Sequence, residues 1–119
     1  MIKYRHQLRF IEGSVESGNF EDVATLTYVG ELPSVPSPGL VVSLTDDVDF
    51  EIQHVSFLVH EGIYQSFSYI DFYALDDRSQ AFVGREDWIA RWVKYGFEIY
   101  STNRVSKEAI EAAVEDVIV

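Results

Sequence analysis

Cysteine is absent from the 119-residue sequence, which removes disulfides, thiolate metal sites and cysteine nucleophiles together. Basic residues are nearly as scarce: Lys3, Arg5 and Arg9 stand near the amino terminus, the next is Arg78, and residues 10–77 contain neither Lys nor Arg. No apolar run approaches the roughly 18 residues of a membrane span. The amino terminus MIKYRHQLRF alternates charged and apolar residues and lacks the apolar core of a signal peptide. A soluble, cytoplasmic chain without membrane contact is therefore expected. There is no P-loop, GxGxxG, HExxH or GxSxG pattern, so no cofactor and no catalytic residue is assigned.

What remains is acidic and aromatic. The formal net charge is −11, and thirteen acids from Glu12 to Asp77 fall in the stretch without basic residues. Nucleic-acid binders draw much of their affinity from neutralising phosphates with Lys and Arg, so this surface repels DNA and RNA. It attracts a basic partner, and it also keeps a small protein in solution. Apolar residues make up 47% of the chain and aromatics 14%, enough for one core. One domain over residues 1–119 is expected, β-rich over 1–75 and helical over 84–119, with no internal repeat.

The densest apolar segment, residues 50–74, reads as a long β-hairpin. A three-residue loop of His60, Glu61 and Gly62 puts Gly62 at the left-handed position and pairs Leu58 with Tyr64, Val55 with Phe67 and Ile52 with Ile70. Both faces of this hairpin carry large apolar groups, which predicts a covering layer on each side. Residues 2–11 alternate as a strand with Tyr4, His6, Leu8 and Phe10 on one face, and 22–29 form a second strand ended by Gly30. All three prolines lie in LPSVPSPG, residues 32–39, a stiff connection to a short strand at 40–44.

After Gly84 the period changes to that of a helix. Trp88, Ile89, Trp92 and Val93 make an apolar stripe, Gly96 is placed to end the helix in a Schellman motif, and Phe97 is placed to fold back on Trp92. Residues 97–101 read as a last strand. Ser106 is the N-cap expected for a final helix to about Val117, with Ala109, Ile110, Ala113, Val114 and Val117 inward. The fold class expected is α+β: a strongly bent antiparallel sheet or small β-barrel of five to six strands with two carboxy-terminal helices. Over about residues 24–73, the layout carried by Leu32, Pro33, Pro36 and Gly39 resembles small uncharacterised bacterial proteins in which an LPxxPxxG segment leads into a compact β-barrel or curled sheet. That resemblance implies a fold and no activity.

Chemistry finds little purchase. His54 and His60 stand six residues apart along one strand, about 20 Å, too far to share a metal. Asp47, Asp49 and Glu51 alternate like the start of a calcium loop, but Ile52 and Leu58 occupy the positions that need Gly and Glu, so no metal is assigned. The remaining candidates are surface groups: the acidic turn of Asp46, Asp47 and Asp49, the strand tyrosines Tyr69 and Tyr73, and the acidic pair Asp76 and Asp77. They suggest a non-enzymatic protein-interaction module with a basic protein partner or a second copy of the chain. The alternatives are an acidic inhibitor of the DNA-mimic kind, from a phage or a defence system, and a small-molecule or metal-dependent enzyme.

Overall fold

The longest elements are two strands that form one hairpin, β1 (Ile2–Ser14) and β2 (Asn19–Leu32). They are longer than their apolar alternation alone predicts. The computed structural model describes residues 1–14, 16–46, 48–72 and 84–117. Along the chain follow β3 (Val41–Ser43), β4 (Asp49–Glu51), β5 (His54–Leu58), β6 (Ile63–Asp71), α1 (Arg85–Lys94), β7 (Glu98–Thr102) and α2 (Lys107–Val114). None of the described helices is long and apolar enough to cross a membrane.

Five strands make one mixed sheet in the order β5-β6-β1-β2-β7, and β3 pairs with β4 in a separate two-stranded sheet. The fold is α+β, with two corrections to expectation. The described strands form an open sheet ending at β5 and β7, not a closed barrel. Nor is the sheet wholly antiparallel, because β1 and β6 run parallel, with Tyr4 beside Tyr64 and Phe10 beside Ile70. Hairpin loops fix the direction of neighbouring strands, whereas a pairing between distant segments leaves no local signal of its direction.

The central hairpin is also corrected. Its first arm divides at Ile52: the Ile52 amide donates to the Leu40 carbonyl and its carbonyl accepts from Gly39, so residues up to Glu51 stay with β3. Only β5 continues in the main sheet. Its register pairs Leu58 with Ile63, Phe57 with Tyr64 and Val55 with Ser66, one residue away from the expected pairing. Gly62 does take positive φ, +67°, but both Glu61 and Gly62 amides donate to Leu58, lengthening the loop by one residue. The shift sets the Phe57 and Tyr64 rings 4.8 Å apart, an edge-to-face pair that the expected register forgoes.

Strand β2 runs through Gly30 rather than ending there. A Cβ at Gly30 would stand 2.6 Å from the Tyr28 ring and 3.2 Å from the Tyr4 ring, so this glycine makes room for two aromatics. Where Phe10 gives way to Ile11, the register with β2 shifts by one residue, and Val23 and Ala24 are both buried.

One face of the sheet builds the core. Tyr4, Leu8 and Phe10 of β1 join Ala24 and Leu26 of β2, Phe50 and Ile52 from the small sheet's strand and its exit, Ile89 and Trp92 of α1, and Ile110 of α2. Both helices and the small sheet lie against this face, so the second covering layer expected for the hairpin is not found among the described residues. Helix α1 ends in the expected Schellman motif, with Phe97 donating to the Trp92 carbonyl and Gly96 to that of Val93. The Phe97 ring packs on Tyr28 and Phe50, 5.1 and 5.5 Å away, while Trp92 meets Phe10 and Trp88. Ser106 caps α2 by accepting from the Ala109 amide. That helix stops at Val114, three residues short of expectation, and buries Ile110 and Ala113 while Ala109 is exposed.

Candidate interaction site

Among the acids singled out in the sequence, Asp46 is exposed in the β3–β4 turn and Asp49 is exposed on β4. Tyr69 is half-buried on the sheet face opposite the core. The Arg9 guanidinium lies 5.2 Å from its ring centre and donates to its hydroxyl, and Phe20 meets the ring edge-on at 6.2 Å. Arg9 also pairs with Asp22. Partial burial disfavours the Arg9 charge, but the hydrogen bonds and charges of Asp22 and Tyr69 together outweigh it, and the guanidinium is held above its usual pKa. The Tyr69 ring is thus engaged within the chain. Asp47, Tyr73, Asp76 and Asp77 lie outside the described residues.

Aromatics do converge with acids elsewhere. A cavity of about 240 Å³ opens where β4 and the residues after it pass over β6 and α1. Its buried lining includes Leu8, Phe50, Ser68 and Trp92; Trp88 and Ile70 are half-buried; Asp49, Glu51 and Gln53 are exposed at its margin. Helical spacing places Trp88 and Trp92 one turn apart on α1, with ring centres 5.6 Å apart in an edge-to-face pair.

The margin is anchored by side-chain hydrogen bonds to its backbone carbonyls. The Trp92 indole N–H donates to the Asp49 carbonyl at 3.1 Å, and the Ser68 hydroxyl donates to that of Glu51. The first holds the acid-bearing strand to Trp92 and the second holds it to β6. One face of the Trp88 ring is engaged within the chain, with the Arg91 guanidinium 4.6 Å from its centre. The Trp88 indole N–H is buried and has no hydrogen-bond partner among the described residues.

A serine–histidine contact that the sequence reading missed lies in the core. His6 Nδ1 and Ser66 Oγ stand 2.7 Å apart, the imidazole stacks on Phe50 at 4.1 Å, and both residues are fully buried. Burial pushes the His6 pKa down to about 3, so at neutral pH the ring is a poor proton acceptor. Its Nε2 has no partner, and so no orienting carboxylate, among the described residues. The pair joins β1 to β6 within the large sheet, with Phe50 of the small sheet stacked on the imidazole, and it lacks the access a nucleophile needs. The signal was the alternation of β1 itself, which places His6 on the core face beside Tyr4 and Leu8.

His54 and His60 are exposed, and among the described residues no group of three or more His, Asp or Glu side chains is placed to hold a metal. The acids are partly spoken for: Glu12 is buried against Arg85, and Glu21, Asp22 and Glu61 pair with Arg104, Arg9 and Arg5. Comparisons with protein-family models, with curated proteins and with solved structures give no match.

Proposed function

We propose that the chain is a non-enzymatic protein-interaction module that takes a basic side chain of a partner protein at the Trp88–Trp92 cavity. The observation that carries this reading is the pairing of two tryptophans with the exposed Asp49 and Glu51 around one opening. Tryptophan is the strongest aromatic partner for a cation, worth about 0.5–2 kcal/mol depending on desolvation. Carboxylates at the margin add attraction and raise the rate of encounter. The guanidinium of Arg91 over Trp88 supplies the same contact within the chain. At about 30 Å³ per water-sized group, the cavity has room for roughly eight such groups, the scale of one long cationic side chain.

Four acids of the stretch without basic residues are tied up in ion pairs, one of them buried, which favours this local site over an inhibitor that presents an unbroken acidic face to a DNA-binding groove. Calorimetric titration with a short Gly/Arg peptide tests the reading. Binding is expected to weaken about three- to ten-fold in an Asp49→Asn/Glu51→Gln variant, as loss of two partly exposed charge contacts implies. A Gly/Glu peptide is expected not to bind. Equal affinity for both peptides, or none for the basic one, overturns it.

A further inference from the structure

We infer that two copies of this chain associate by pairing their β5 strands antiparallel about a two-fold axis at Ser56, joining two five-stranded sheets into one. Strand β5 is an end of the sheet and has no neighbour on its outer side among the described residues. Proteins blunt such edges with charge, proline, bulges or shortness, because an open row of backbone N–H and C=O groups recruits another strand. The other edges among the described strands show these devices. Strand β7 carries Glu98 and breaks register against β2 between Thr25 and Leu26, and β3 and β4 are three residues each.

Strand β5 shows none of them. Its sequence, HVSFL, holds no acid, lysine, arginine or proline, and its pairing with β6 is unbroken from His54 to Leu58. Phe57 is 48% exposed, and Val59, which follows the strand, is 81% exposed. On a chain of net charge −11 an edge without acids limits the repulsion between two copies, and the acids nearest in sequence, Glu51 and Glu61, lie outside it. A two-fold through Ser56, the middle of the five-residue strand, matches the whole strand to its copy. Val55 then faces the partner's Phe57, His54 faces the partner's Leu58, and Ser56 meets its own copy. Aromatic against β-branched residues is a favourable cross-strand combination. This association does not depend on the tryptophan cavity.

Light scattering on the full chain at about 100 μM gives the first test: the expected mass is twice 13.6 kDa, and Ser56→Lys, which opposes like charges across the axis, is expected to halve it with an unchanged circular dichroism spectrum. The lack of any cysteine allows a second. Residues opposite each other across an antiparallel pair have Cα atoms about 4.5–5.5 Å apart, within the range of roughly 4.4–6.8 Å that a disulfide spans. Ser56→Cys is therefore expected to form a covalent dimer under mild oxidation, while Ser101→Cys on the opposite edge remains monomeric. A wild-type mass of one chain overturns the inference, and so does cross-linking of Ser101→Cys as readily as Ser56→Cys.

Discussion

His6 Nδ1 lies 2.7 Å from Ser66 Oγ in the interior, between a strand near the amino terminus and one near the middle of the chain. The contact lies within the parallel β1–β6 pairing, and Phe50 of the small sheet stacks on the imidazole.

That environment makes stability depend on pH. Burial holds His6 at about 3 in the folded chain against 6.5 when exposed, so as pH falls the unfolded state binds a proton first. The stability that comes from keeping the ring neutral is complete above about pH 6.5 and declines below it toward pH 3, by up to about 1.4 kcal/mol per unit. Between pH 6.5 and 5, before most carboxylates titrate, urea unfolding is expected to show a loss of up to about 2 kcal/mol. A His6→Phe/Ser66→Ala variant is expected to lose most of that slope; an equal slope in both proteins would place the dependence elsewhere.

Gly30 is expected to resist substitution. Alanine would put a Cβ 2.6 Å from the Tyr28 ring, and that ring already packs against Phe97 and Phe50. Overpacking of this kind costs about 1–3 kcal/mol, measurable as a lower urea midpoint at unchanged m-value. A Gly30→Ala protein as stable as wild type would show that the Tyr28 ring is free to move.

Ser106 anchors the last helix by accepting from the Ala109 amide at 3.2 Å. Ser106→Ala is expected to cost about 1 kcal/mol and Ser106→Asp to restore most of it, because aspartate caps as well as serine. Failure of aspartate to rescue would assign the loss to something other than the cap.

Local chemistry was legible in the sequence wherever a single residue sets the geometry. Gly96 ends α1, Ser106 starts α2, Gly62 turns the β5–β6 hairpin, and His6 alternates with Tyr4 and Leu8. Partners chosen across distance were not legible. The bonds of Ile52 to Gly39 and Leu40 divide what reads as one strand, and the bulk of Tyr28 turns Gly30 from a stop into a passage. Ser66 and Ser68 of β6 are buried with a partner for each hydroxyl, and nothing in their spacing names those partners. Asp49 was legible as acidic, but its place beside Trp88 and Trp92 rests on the Trp92 bond to its carbonyl, which no spacing reveals.

The chain contains two tryptophans, and both line the proposed site, so its two indole N–H resonances report on it directly. Titration of the ¹⁵N-labelled protein with a Gly/Arg peptide is expected to shift both indole signals along a saturable curve, together with the amides of Asp49 and Glu51, while a Gly/Glu peptide leaves them in place. Indole signals that stay fixed up to millimolar Gly/Arg peptide would contradict the account of the cavity as a site for a basic partner.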